Sequence, residues 1–186
     1  MPAAHRIGGR QLELVQGDIT QQSVDAIANA ANTALRGGGG VDGAIHRAAG
    51  PALLDELRRR YPRGTPTGTA IATAGYRLSA RWVLHAVGPI WRGGAHGEAD
   101  ELAAAYRSCL VLADELGARS LALPAISLGV YGYPFPEGAQ VALSTVASHL
   151  AGGTGLIMVR FVLREPTYPA FVAALAQLAP HAGISS

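Results

Sequence analysis

Two glycine-rich segments, each set between an apolar run and a helical stretch, constrain this chain more than any other feature. The first reads Asn29-Ala-Ala-Asn32-Thr-Ala-Leu-Arg-Gly37-Gly-Gly-Gly40-Val-Asp42-Gly-Ala-Ile-His46. The second reads Pro124-Ala-Ile-Ser127-Leu-Gly129-Val-Tyr131-Gly132-Tyr-Pro134. Four consecutive glycines between a strand and a helix cost too much conformational entropy for a plain connector. A strand running into such a loop, with a helix close behind, offers backbone N–H groups and a helix N-terminus to an anion. Two such cradles on one fold predict a ligand gripped from both sides, such as a diphosphate.

The remaining pattern alternates strand and helix. Strands are predicted at residues 11–16, 26–31, 68–75, 81–87, 120–126 and 156–163. One helix is predicted over residues 41–60, because Val41, Ile45, Ala49, Leu53 and Leu57 recur every four residues. Further helices are predicted over residues 99–116, with Gly117 as C-cap, over 137–150, and over 166–178. This order implies an α/β fold with a largely parallel or mixed sheet covered on both faces. Residues 1–186 read as one domain with a core from about 10 to 180; the first nine and last six residues are expected to fray.

Composition removes several classes of chemistry. All 15 basic residues are arginine, so mechanisms that need a lysine, including the Walker-type phosphate loop and Schiff bases, are excluded. A net charge of +2 gives little general attraction for nucleic acid. The single cysteine, Cys109, allows no internal disulfide, and the six histidines show no metal-ligand spacing. Apolar runs are too short to span a membrane, and the first residues do not resemble a signal peptide, so the protein is expected in the cytoplasm. Nothing demands more than a monomer.

Several polar residues near the glycine loops have two readings. Gly38 to Gly43 matches G-x-G-x-x-G, but Asn32 to Arg36 intervenes after the strand, and the acidic residues that follow, Asp55 and Glu56, fall on the predicted helix itself. Asn29 and Asn32 either satisfy turn backbone or present amides to a sugar. Asp42, the only carboxylate between Asp25 and Asp55, either caps the helix or orients a water or a hydroxyl. His46, one turn later, reads as structural. Asp18 either closes an Asx-turn or accepts from the exocyclic amine of a purine. Ser127 reads as a donor rather than a nucleophile, and no cation is evident in the loops. Tyr131, Tyr133 and Phe135 either pack on a ligand or cover the loop.

Taken together, Gly17-Asp18-Ile19-Thr20, Asn29 to Asn32, Gly37 to Gly50, His85-Ala-Val-Gly88-Pro89 and Pro124 to Pro134 resemble the macrodomain family, in the family's order, over residues 10 to 165. The long glycine block resembles the MacroD-type branch. The resemblance implies a three-layer α/β/α fold that binds ADP-ribose and hydrolyses acyl-linked ADP-ribose, on modified Asp and Glu side chains or as O-acetyl-ADP-ribose. A reader without activity, and removal of ADP-ribose from nucleic acid, are the alternatives; nucleic acid is the last in rank. It implies no cofactor, no metal and no membrane. Asp18 and the Ile19 backbone would hold the adenine, and Asn32 the distal ribose. Gly39, Gly40 and Val41 would surround the distal ribose and diphosphate. Ser127, Gly129, Val130 and Tyr131 would form the second phosphate loop, and Asp42, with Asn32, would be catalytic. Three departures stand out: Leu128 where a small hydroxyl residue is common, Tyr131 in place of phenylalanine, and Thr33 to Arg36 in place of the usual loop.

Overall fold

In the computed structural model, which describes residues 3–178, the six predicted strands and one more at the N-terminal end form a single seven-stranded sheet. The strands are β1 Ala3–Ile7, β2 Arg10–Gln16, β3 Ala26–Ala31, β4 Ala70–Ala74, β5 Trp82–Val87, β6 Ser120–Leu123 and β7 Met158–Leu163. Their spatial order is β1-β2-β7-β6-β3-β5-β4. The five inner strands run parallel, and β1 and β4 pair antiparallel at the two edges. The helices are α1 Gly40–Ala49, α2 Ala52–Arg60, α3 Glu98–Glu115, α4 Phe135–Ala151 and α5 Tyr168–Leu178.

Side chains alternate across this sheet and so sort onto two faces. Ala26, Ala28, Leu84, Leu121, Leu123 and Phe161 pack with Leu102 and Tyr106 of α3, Leu143 of α4 and Phe171 of α5. Ile27, Val83, Ala122 and Val162 pack instead with Ile45 and Ala49 of α1 and Leu53 of α2. Each large side chain buried this way contributes about 1.5–3 kcal/mol. The result is three layers, α/β/α, with a mixed and mostly parallel sheet in the middle.

Two sequence expectations need correction. The single helix over residues 41–60 is two helices, because Gly50 takes φ 88° and Pro51 has no N–H to continue the ladder. The apolar stripe survives the break: Ile45, Ala49, Leu53 and Leu57 are all buried. The N-terminal residues do not fray as a block either, because Ala3–Ile7 pairs with β2. Gly8 and Gly9, both at positive φ, link Ile7 to Arg10 in a two-residue hairpin turn that suits the strand twist. Residues 181–186, also expected to fray, lie outside the described residues.

Chain order positions a cleft. The path leaves β3 toward β5 on one side, and leaves β6 toward β7 on the other, while β3 and β6 are neighbours. A reversal of this kind opens a crevice at the carboxyl ends of the strands. Tyr106 fixes the floor of that crevice from below: its hydroxyl donates to Pro124 O (2.9 Å) and accepts from Ile126 N (2.8 Å), in full burial. Burial pushes the phenol pKa well up, so it stays a donor. Tyr106→Phe removes two buried hydrogen bonds and leaves Pro124 O and Ile126 N only their 3.1 Å bond to each other, at an expected cost of about 1–3 kcal/mol. Urea unfolding should show a lower midpoint at unchanged slope; an unchanged midpoint would remove Tyr106 from the account of this loop.

Candidate active site

Every parallel strand delivers a segment to one cavity of about 780 Å³. Gly17 to Ile19 come from β2, Asn32 from β3, Gly88 from β5, Pro124 to Tyr131 from β6, and Arg164 from β7. The cavity also meets the start of α1 and Phe135 of α4. The residues to which the resemblance gives a role line it: Asp18, Ile19, Asn32, Gly39, Gly40, Val41, Asp42, Ser127, Gly129, Val130 and Tyr131.

The glycine loops supply donors. α1 starts on Gly39, which has no capping side chain, and the N–H groups of Gly40, Val41 and Asp42 find no acceptor among the described residues. In the second loop the same holds for the N–H groups of Ser127, Gly129, Val130 and Tyr131. A helix leaves its first N–H groups free, and its dipole adds positive potential there. Gly43 lets the first loop fold so tightly: a Cβ there would stand 2.6 Å from Gly38 O.

Ser127 corrects one expectation. Its hydroxyl donates to Pro89 O at 2.7 Å, in a side chain only 6% exposed, so it joins two loops rather than facing a ligand. Its backbone N–H remains available. Gly88 makes the junction possible, since a Cβ there would lie 2.2 Å from Ser127 Oγ. Leu128 is buried, with its Cδ1 2.5 Å from where a Cβ on Gly138 would stand. Of the loop aromatics, Tyr133 is buried against Trp91 with ring centroids 4.7 Å apart, while Tyr131 and Phe135 line the cavity.

Charge enters at the two ends. Asp18 Oδ1 accepts from Thr20 N (2.9 Å) and Thr20 Oγ1 (2.7 Å), so the capping role is real, while Oδ2 has no partner among the described residues. The Thr20 hydroxyl and N–H, with help from the Arg164 charge, hold the Asp18 carboxyl below the usual carboxylate range. Two cations also reach the cavity from outside the glycine loops. Arg164 follows β7 and Arg47 lies on α1, and both line the cavity. Arg47 Nη1 would be 3.0 Å from a Cβ on Gly43, which places the guanidinium over the first turn of α1. Neither arginine stands in a glycine loop, which is why the loop sequences did not reveal them.

Asp42 sits at the seam of loop and helix, 5% exposed. Its Oδ1 accepts from Asn29 Nδ2 at 2.7 Å and lies 3.2 Å from His46 Nε2. Asn32 donates to Gly37 O at 3.0 Å. A Cβ on Gly38 would be 3.2 Å from Asp42 Oδ2 and 3.7 Å from Asn32 Nδ2, so both side chains flank the glycine loop. Behind Asn29 stands a residue that sequence reasoning passed over: His85 Nδ1 lies 3.1 Å from Asn29 Nδ2, and His85 Nε2 lies 2.9 Å from Thr73 Oγ1. The available signal was alternation, since Asn29 and His85 are register partners on the face toward α1.

Residues 28–142 match the Macro domain family model. The chain is 55% identical over 160 residues to an O-acetyl-ADP-ribose deacetylase of Salmonella gallinarum, covering 85% of each. It is 52% identical over 169 residues to a Macro domain-containing protein of Streptomyces coelicolor, covering 88% of this chain and 98% of that one. The Oceanobacillus iheyensis macrodomain with ADP superposes with a TM-score of 0.91 at 41% identity, over 97% of this chain and 98% of the other. A Trypanosoma brucei macrodomain in complex with ADP-ribose superposes at 0.81 and 42% identity, over 88% and 68%. The chain belongs to the Macro domain family.

Two outcomes test this geometry. Gly88→Ala drives a methyl into Ser127, an overpacking cost of about 1–3 kcal/mol, and should displace the second loop. The melting temperature should drop and ADP-ribose affinity, read by calorimetry, should fall; unchanged affinity would show the junction to be irrelevant. His85 is held neutral, its pKa depressed to about 3 mainly by burial, with the His46 charge adding and Asp42 opposing. The unfolded chain takes up that proton as pH falls below the ordinary histidine value, so stability present above about 6.5 declines toward 3. Between pH 6.5 and 5 the expected loss is about 2 kcal/mol. Urea titrations at both pH values should show that loss in the wild type and not in His85→Gln.

Proposed function

We propose that this protein binds ADP-ribose and hydrolyses acyl-linked ADP-ribose. One observation carries the proposal: a nearly buried carboxylate, Asp42, stands where a cradle of free backbone N–H groups meets Asn32, inside one cavity. The diphosphate lies between the N–H groups of Gly40 and Val41 on one side and those of Ser127, Gly129, Val130 and Tyr131 on the other. Gly39 contributes a surface without a side chain, so the ribose approaches closely. Asp18 accepts from the adenine amine through its free Oδ2, supported by the Ile19 backbone. Asn32 holds the distal ribose, and Tyr131 packs beside it.

Asp42 then orients a water against the acyl carbon. The water oxygen bonds to that carbon, the ester C–O bond breaks, and a carboxylic acid and an ADP-ribose hydroxyl leave with the two protons of water shared between them. Such positioning with a general base commonly contributes about 10²- to 10⁴-fold. No residue in this account needs a metal, and no cluster of three or more His, Cys, Asp or Glu side chains suited to one occurs among the described residues. Substrates of this class are O-acetyl-ADP-ribose and proteins ADP-ribosylated on Asp or Glu. The name of the Salmonella relative supports the first.

Every residue given a role in this reading lines one cavity, and we read the protein as a monomer. No helix among the described residues is long and apolar enough to cross a membrane. We place the monomer in the cytoplasm, where a lone, buried cysteine such as Cys109, its thiol pushed up to about 12 by burial, stays reduced.

The test pairs binding with turnover. ADP-ribose titrated by calorimetry should bind the wild type and Asp42→Ala with similar affinity. Released ADP-ribose from O-acetyl-ADP-ribose should fall at least about 100-fold in the variant. Full turnover in Asp42→Ala removes the carboxylate from the mechanism. Binding without turnover in the wild type converts the reading to an ADP-ribose reader, and absence of binding ends it.

A further inference from the structure

The cavity residues do not explain why the Asp42 carboxylate stands as it does; a row of buried groups behind it does. Thr73 on β4, His85 on β5 and Asn29 on β3 lie side by side across the sheet, under α1, and none of Thr73, His85 and Asn29 lines the cavity. His85 and Asn29 are fully buried and Thr73 is 1% exposed. The groups facing His85 from the packed elements are Asp42 and His46 on α1, Glu56 on α2 and Thr73 on β4.

The direction of each hydrogen bond in this row is forced. The Asn29 group 2.7 Å from Asp42 Oδ1 must be the amide nitrogen, because an amide oxygen there would face a carboxylate oxygen. The same nitrogen is 3.1 Å from His85 Nδ1 and has only protons to offer, so Nδ1 must carry a lone pair. The His85 proton therefore sits on Nε2 and is donated to Thr73 Oγ1 at 2.9 Å. Thr73 passes its own hydroxyl proton to Ala74 O at 3.1 Å. Both Asn29 protons are committed, and its Oδ1 is left buried without a partner among the described residues. That orphan oxygen is what the orientation costs, since turning the amide over would satisfy neither Asp42 nor this tautomer.

We infer that Thr73 and His85 are positioning residues for the hydrolysis: they lock the Asn29 amide, which holds Asp42 Oδ1 and leaves Oδ2 as the oxygen that meets the attacking water. Oδ2 has no partner among the described residues and faces the Gly38 backbone beside Asn32. Asn29, with His46 Nε2 also within reach, fixes the plane of the carboxylate and leaves one oxygen open toward the loop. Displacing a reacting group by about 1 Å costs on the order of 100-fold, so a loosened Asp42 loses turnover before it loses ligand.

The inference rests on the hydrolase reading and is tested with two independent readouts. Long-range ¹⁵N–¹H spectra of the wild type should show His85 protonated on Nε2 and bare on Nδ1. With O-acetyl-ADP-ribose as substrate, His85→Phe and the milder Thr73→Val should lower kcat by about 10- to 100-fold. ADP-ribose Kd should stay within about 3-fold, well inside the shift that one lost ligand hydrogen bond gives. His85→Gln, whose amide can accept from Asn29 and donate to Thr73, should recover much of kcat. In an Asp42→Ala background His85→Phe should cause no further loss. A proton on Nδ1, parallel losses of kcat and ADP-ribose affinity that track melting temperature, or an undiminished loss in the Asp42→Ala background would each overturn the inference. A wild type without turnover would instead sink the hydrolase reading, and the tautomer spectrum would still decide the geometry.

Discussion

A carboxylate taken out of water has to be met by donors, and the position of Asp42 follows from where this fold can supply them. It lies in the first turn of α1, where free N–H groups and the helix dipole favour negative charge. It also packs on a part of the sheet that carries polar side chains, so Asn29 reaches it from β3. Lose the sheet contact and the helix terminus alone would leave the side chain free to turn toward solvent. Lose the helix terminus and the sheet would bury an acid with a single amide for company. The site needs both, and the short loop from Asn32 to Gly39 is what brings them together.

The same helix end binds the proposed anion and holds the carboxylate, which looks like a conflict of charge. Geometry resolves it. The N–H groups of Gly40 and Val41 point from the backbone, whereas the Asp42 side chain folds back onto Asn29 and His46, with Oδ1 fully engaged. The second loop adds N–H groups from the opposite wall, and Arg47 and Arg164 stand at the rim. Backbone donors fixed by covalent geometry need no side-chain ordering on binding, unlike lysines. A chain with no lysine can therefore grip a diphosphate, provided that glycines let the backbone approach.

Much of this was legible in the sequence because it is written in backbone terms. Strand β3 was read with its observed bounds, and the glycine loops gave the cradle, since only glycine permits the approach of Gly43 to Gly38 O. What stayed hidden depends on contacts between distant residues. Nothing near Ser127 says that its hydroxyl turns to Pro89, and nothing near Arg164 places it beside Asp18. The break at Gly50 and Pro51 was written in plain view, but an apolar stripe that continues through it masked the stop signal. The hairpin at Gly8 and Gly9 was masked in the same way by His5 and Arg6, polar residues on an edge strand.

Alternation in β3 and β5 divides stability from chemistry within single strands. Ala28, Leu84 and Ala86 face the apolar core under α3, α4 and α5, while Asn29 and His85, their immediate neighbours, face α1. A slip of one residue would exchange the two sets, pushing an amide and an imidazole into that core and an alanine against Asp42. Each would be left without a hydrogen-bond partner, at about 1–3 kcal/mol apiece, beyond the loss of packing. Apolar burial alone would tolerate other small side chains at Ala28 and Ala86. The polar row does not tolerate a shift, because Asn29 must meet both His85 and Asp42 at once. The groups that orient the carboxylate are thus also the groups that fix the register of the strands on which the cavity is built.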